Sequence, residues 1–523
     1  MTRIGRKLMV LGARAGAAGF AFAPNMVKSL SYAVAVGVLG MSSIIHAQEA
    51  QELGRLAPLP DKLPPSVEAR VGHVDFARGL PTQKGIEQLF EIQDFQRATQ
   101  LYQWAIPAIS VLGWQRASIA NGANGATDWV IYDNYLPREG ILTPNTEVSY
   151  VMAFPDLETT GPLVLDYSPG KIAGIVMDYW QRPQFDFGLT GPEKGATGGK
   201  ALLLRPGQKE PDDVAGYHVV HMPTRVAFLG YRVLDRSEKD QLTRLNKLHP
   251  YSERNNPPPP TVIAATKDYT QSVPRGIAYW EAVNELIQRE PVEDRDRFFY
   301  AMLTGLGIEK GKLFAPDDRR KKLLEDAALL GEEISRALTY EKRFIANNRY
   351  RPDARWEFAL VVDPSQREAN YDQLDPRTEW FYEAIAASYA MITKTPGVGS
   401  IYLETYRDQD GDWLDGGRSY RLHLPPNPPM QQFWAVTVYD LDTRTLFRNE
   451  SMMAEVSSNS QELKKNADGS VDLYFGPTAP SGNKSNWVQT VADKFWFPYF
   501  RLYAPTQAYF DRSWPLPDIE KVQ

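Results

Sequence analysis

The sequence predicts an α+β protein, mainly β: two β-sandwich or jelly-roll-like domains with a helical connector between them and an N-terminal helix ahead of the first. Three observations predict it. Apolar residues alternate with period two in short runs over 128–235 and again over 400–503, and several short strands at such spacing build sandwiches or barrels. Over 276–347 the apolar residues instead recur every three to four positions, the period of a helix. The four prolines from Pro257 to Pro260 hold the intervening chain extended and allow no regular ladder.

The first 47 residues have the three parts of a cleavable signal peptide. A basic stretch ends at Lys28, an apolar run follows from Leu30 to Ile45, and Ala47 stands before the expected cleavage at Gln48. The apolar run is shorter than the ~20 residues that span a bilayer, which favours a leader over an anchor. The mature protein is therefore expected to have no membrane span and to be periplasmic or secreted. All five basic residues before Gln48 belong to this leader, leaving 53 basic against 64 acidic side chains. Such a surplus repels phosphate backbones and argues against a nucleic-acid partner. The chain has no Cys, so disulfides, thiolate metal sites and a Cys nucleophile are excluded.

After an irregular segment over 48–82, Leu89, Ile92, Phe95 and Tyr102 mark a helix over 83–115 that Pro107 should kink or end. The first β domain completes 83–255, a Pro-rich linker covers 256–275, and the helical connector 276–397. Its best helix carries Leu323, Ala327, Leu330, Ile334 and Leu338 on one face. The second β domain occupies 398–523. Its run 433–439 is apolar on both faces and belongs at the centre of a layered structure. No internal repeat is evident.

In the C-terminal strands, YRLHLPPNPPMQQFWAVTVYD, NADGSVDLYFGP, NWVQT and FRLYAP resemble a bacterial two-domain family. Its N-terminal part is domain of unknown function 1254 and its C-terminal part is domain of unknown function 1214. LTPNTEVSY, LETTGPLVLDY and MDYWQRPQFDFGLTGPEKGATGGKALLLRPG are similar to the first of these. The resemblance implies two mainly β domains with helical insertions and implies no reaction. Many members carry Asn-Asp after Thr-Pro-Asn, where this chain has Thr146 and Glu147.

Candidate chemistry has to come from the residues themselves, since no G-x-S-x-G elbow and no H-E-x-x-H helix is present. The most site-like cluster follows the apolar run ending at Met177. Asp178 and Arg182, with Glu147 from a neighbouring strand, are the candidate catalytic residues. Trp180, Asn145, Tyr150 and Asp186 are candidate substrate contacts, because functional side chains gather in loops at strand ends. The competing interpretation is an Asp178–Arg182 ion pair that pins the loop. Asp408, Asp410, Asp412 and Asp415 offer oxygen donors at near-alternate positions, which would suit calcium, although a solvated hairpin turn favours the same residues. The first expectation is an exported hydrolase-like enzyme acting on a small organic molecule or polymer fragment. The second is a non-catalytic protein, structural or binding a sugar-like ligand; self-association stays open under either.

Overall fold

The computed structural model describes residues 66–69, 72–189, 197–266 and 269–522, so the leader expected over 1–47 lies outside the described residues. The described residues up to Leu89 belong to one compact unit and those from Phe90 onward to another. Among its described residues, the segment expected to be irregular holds a small antiparallel sheet of β1 (Ser66–Ala69), β2 (Gly72–Ala77) and β3 (Leu80–Pro81). The helix Gln83–Ala120 continues without a break past Pro107. Burial of Ile106, Ala108 and Ile109 overrides the local propensity, and the Pro107 carbonyl accepts from Gln181 Nε2 at 2.7 Å.

The first sandwich contains β4 (Trp129–Tyr132), β5 (Ser149–Ala153), β6 (Leu163–Tyr167), β7 (Ile172–Met177), β8 (Pro183–Gly188), β9 (Gly199–Leu204), β10 (His218–His221), β11 (Phe228–Val233), β12 (Lys247–Pro250) and β13 (Val262–Ala264). One sheet has the order β10-β9-β6-β12 and the other β13-β4-β5-β11-β7-β8. Their facing residues, among them Leu163, Leu165 and Leu203 against Val151, Val176 and Leu229, share one core. Strand β13 falls inside the expected linker and pairs in parallel with β4. The Pro-rich stretch thus ends sooner than composition suggests.

The second sandwich contains β14 (Glu357–Phe358), β15 (Ser400–Glu404), β16 (Tyr420–Leu424), β17 (Trp434–Asp440), β18 (Glu455–Ser457), β19 (Val471–Gly476), β20 (Trp487–Gln489), β21 (Trp496–Tyr503) and β22 (Glu520–Lys521). Its sheets are β14-β15-β21-β17-β18 and β20-β19-β16-β22. Strand β17 is buried along its whole length, as the apolar character of both its faces requires. Helices Ile277–Arg289, Arg297–Gly305, Asp318–Tyr340 and Leu374–Glu383 connect the two sandwiches. None of the described helices is long and apolar enough to cross a membrane.

The two sandwiches repeat one another. The run β5-β11-β7-β8 corresponds to β15-β21-β17-β18, and β10-β9-β6-β12 corresponds to β20-β19-β16-β22. All these neighbours are antiparallel except β9–β10 and β19–β20, which are parallel in both copies. The match extends to register. Arg232 lies opposite Tyr150 and Ala173, while Arg501 lies opposite Tyr402 and Ala435. Thr143-Pro144 and Thr395-Pro396 precede the two tyrosines by the same number of residues.

Candidate functional site

Because side chains alternate across a strand, the arginines of β11 and β21 point away from the sandwich cores. Leu229, Tyr231 and Val233 fill the first core, so Phe228, Gly230 and Arg232 take the opposite face. Along β21, Tyr499 and Arg501 likewise share a face with Tyr402 and Glu404 of β15. A cavity of about 90 Å³ lies against both faces. Tyr150, Met152, Gly230 and Arg232 line it from one sheet, Tyr402, Tyr499 and Arg501 from the other. Asn145, Trp380 and Ser388 complete its polar and aromatic wall, and its lining includes no Asp, Glu, His or Lys.

The two arginines are held differently. Arg501 is buried and donates to Thr437 Oγ1 at 2.8 Å and to the Thr143 carbonyl at 2.7 Å. Its guanidinium also lies 5.0–5.6 Å from the ring centroids of Tyr499, Tyr402 and Tyr439. Arg232 is half-buried and lies among the phenols of Tyr402, Tyr503 and Tyr150. Among the described residues no carboxylate forms an ion pair with it. The Tyr402 hydroxyl lies 2.8 Å from Ser400 Oγ, and either hydroxyl can donate to the other.

The Thr-Pro-Asn loop closes one side of the cavity. Thr143 has φ 39°, a left-handed conformation that a β-branched residue rarely adopts, so surrounding contacts must hold it. Arg501 takes the Thr143 carbonyl, the Tyr439 hydroxyl donates to the Pro144 carbonyl at 2.6 Å, and Asn145 Nδ2 donates to the Tyr503 oxygen at 3.1 Å. The Asn145 backbone N–H donates to the Tyr150 hydroxyl at 3.0 Å. Of the seven candidates chosen from the sequence around Asp178, Asn145 and Tyr150 line the cavity.

The others do not. Asp178 is sealed in the core, only 1% exposed, and lies outside the cavity wall. Its carboxylate accepts the backbone N–H groups of Trp180 and Arg182, both at 2.9 Å, and Arg182 Nε at 2.6 Å. Gln181, at φ 62°, tightens the turn so that the strand end folds onto itself instead of opening a rim. Arg182 also pairs with Glu293, and Trp180 packs on Trp104 with centroids 4.6 Å apart. The interpretation as a structural ion pair thus replaces the catalytic one for Asp178 and Arg182, and Trp180 is a core residue. Glu147 lies outside the cavity wall and accepts from Asn459 Nδ2 at 3.0 Å.

Asp186 shares the outer face of the first sandwich with Ile175, which does line the cavity. Its buried Oδ1 has no hydrogen-bond partner, and burial pushes its carboxyl up to about 6 against the lowering influence of the Ala390 N–H and Arg232. In the acidic loop, the ammonium of Lys521 sits 3.0, 3.1 and 2.6 Å from Asp408, Asp410 and Asp412. Asp408 Oδ1 accepts the N–H groups of residues 410 and 412, and Asp415 accepts that of Gly417. These are turn contacts closed by β22. Among the described residues no group of three acidic or histidine side chains could hold a metal ion.

Sequence reasoning overlooked Arg232, Arg501, Tyr402 and Tyr499. A signal was available in Gly-Tyr-Arg-Val and Tyr-Phe-Arg-Leu, where a lone arginine interrupts an apolar strand in each half. A charge at such a position requires a partner or a ligand.

The fold and site define a protein of two repeated sandwiches with an arginine-bearing cavity against both outward faces. The model of a protein of unknown function (DUF1254) matches residues 129–253, and that of a protein of unknown function (DUF1214) matches residues 399–507. The chain has this two-domain organisation, with the first N-terminal to the second. The first match spans β4 to β12 of the first copy, and the second spans β15 to β21 of the second. No protein of curated function matches the chain. The VPA0106 protein from Vibrio parahaemolyticus is similar in fold, with TM-score 0.50 and 16% identity over 82% of this chain and 100% of that one. An uncharacterised protein from Burkholderia cenocepacia aligns with TM-score 0.36 and 12% identity over 84% and 96%.

Proposed function

We propose that the protein binds a small carboxylate in the cavity, anchored by Arg232. One observation carries this: a guanidinium with no carboxylate within ion-pair distance among the described residues lines a cavity whose wall has no acidic side chain, and the Asp186 carboxyl outside that wall interacts with it only at longer range. Removing a cation from water costs several kcal/mol unless a counter-charge replaces the lost solvation. The planar fork of arginine matches a carboxylate in two parallel hydrogen bonds. The volume falls below the ~150 Å³ that admits a benzene ring, which favours an anion of a few heavy atoms over a sugar or polymer fragment. The aliphatic and aromatic wall of Met152, Phe228 and Trp380 suits a short hydrocarbon tail. Binding is favoured over hydrolysis, because the lining pairs no carboxylate or imidazole base with Ser388. The basic-then-apolar order of residues 1–47 supports export, and N-terminal sequencing of exported protein should begin at Gln48.

Thermal denaturation tests the assignment. Formate, acetate, propionate, butyrate and phosphate are each titrated into the full chain and into Arg232→Gln. A short carboxylate at ~100 times its Kd stabilises by about 2.7 kcal/mol, a rise of several degrees in Tm. Propionamide should have no effect, and Arg232→Gln should lose the response. An equal rise in Arg232→Gln, or no rise with any anion, would overturn the proposal.

A further inference from the structure

Behind the cavity wall lies a group of charges that ligand anchoring does not use. Glu379 and Glu383, four apart on the helix Leu374–Glu383, are buried together with Glu404 of β15 and Lys342. Lys342 Nζ is 3.0 Å from Glu379 and contacts Glu404. Glu383 accepts from Tyr406 at 2.6 Å and from Tyr499. Glu383 and Glu404 share this buried site with Glu379 and the single ammonium of Lys342, and like charges so placed keep a proton among them. Tyr499 both lines the cavity and touches this cluster.

We propose that Tyr499 is an acid–base residue of the cavity and that the Glu383–Glu404 pair is its proton store, serving a short carboxylate with a carbonyl beside the carboxyl group. The proposal rests on the assignment of Arg232 as the anchor. In the forward step the carbonyl oxygen takes the Tyr499 proton as a C–H bond on the adjacent carbon gives its proton to solvent. The C–H electron pair becomes the C=C bond of an enol, and the carbonyl π pair becomes the new O–H bond. Tyr499 regains a proton from Glu383, which takes the shared one from Glu404, leaving Glu404 ionised beside Lys342. Ketonisation reverses each transfer and puts a solvent proton on carbon. No oxidant or reductant is needed.

Two observations separate this from a structural ion cluster. Three carboxyls around one ammonium carry more acid than pairing requires, and burial raises all three, Glu379 to about 8. The first sandwich, moreover, builds the same register without them: Met152 stands where the second has Glu404, and Gly230 where it has Tyr499. The frame does not require the charges.

Pyruvate in D₂O is the probe, with loss of its methyl proton signal followed by NMR. The full chain should accelerate exchange over buffer, and Tyr499→Phe and Glu404→Gln should each lose about 10²-fold of that rate while pyruvate still raises their Tm. Arg232→Gln should lose both exchange and stabilisation. Wild-type exchange rates in Tyr499→Phe, or no exchange by a wild-type chain that pyruvate stabilises, would overturn the relay and leave the anchor standing. Loss of stabilisation by pyruvate in the wild type would instead count against the anchor. A measurement without ligand covers that case: with Glu379→Gln in place, the infrared carbonyl band of a protonated carboxyl should be present at neutral pH and lost when Glu404→Gln is added. Absence of the band in Glu379→Gln would overturn the proton store.

Discussion

In the second sandwich the arginine at the centre of the large sheet holds the fold together: Arg501 takes the carbonyl of Thr143 and a threonine hydroxyl, and three tyrosine rings surround it. In the first sandwich the arginine at the corresponding register, Arg232, meets tyrosines and the cavity. The same strand order, the same opposing tyrosine and the same opposing alanine therefore surround two side chains with different work. The difference teaches that position in a repeated sheet sets where a side chain points, while the groups opposite it decide whether it stabilises or binds.

The sharpest way to break this comparison is to make one substitution at both positions. Arg501→Met strands the Thr143 carbonyl in the interior and should cost about 1–3 kcal/mol in urea unfolding. Arg232→Met should cost less than about 1 kcal/mol, or stabilise, because replacing a poorly paired buried charge by an apolar side chain is often neutral or better. Equal losses would erase the distinction between the two arginines.

Asp178→Asn comes next. It weakens the contact with Arg182 while Arg182 keeps Glu293, so unfolding should report a loss of about 1.5–3 kcal/mol, with carboxylate binding retained. Loss of binding without loss of stability would return Asp178 to the site.

The pH dependence of stability separates the sandwiches further. Burial raises Glu379 to about 8, with Glu404 raising it further and Lys342 opposing. A carboxyl raised in the folded state binds its proton more tightly there than in the unfolded chain. Its contribution is full below about 4.5 and is lost as pH rises toward about 8, at up to about 1.4 kcal/mol per pH unit. Glu379→Gln should flatten that part of the profile; an unchanged slope would show that Glu379 ionises normally. Tyr150→Phe removes the acceptor for the Asn145 N–H and should cost about 1 kcal/mol.

Much of the fold was legible in the sequence. Period-two runs located most strands, and the apolar stripe from Leu323 to Leu338 lies within the helix Asp318–Tyr340. The repeat was not legible, because it survives as strand order and register, with Thr-Pro, a tyrosine, an alanine and an arginine in common. Pairing of β13 with β4 and the unbroken helix through Pro107 depend on tertiary contacts that no local pattern carries. The site was half legible. Asn145 and Tyr150 followed from the Thr-Pro-Asn stretch, whereas Asp178 misled because a carboxylate at a strand end looks alike whether it faces solvent or caps its own turn. Arg232 and Tyr499 needed the face of each sheet, and that depends on which core each neighbour fills.

The central claim, that Arg232 anchors a small carboxylate against the two sheets, is tested most directly by a crystal structure of the full chain grown in saturating propionate. The account predicts carboxylate density hydrogen-bonded to the Arg232 guanidinium with the hydrocarbon end toward Met152 and Phe228. A cavity holding only water, with propionate absent or bound elsewhere, would contradict it.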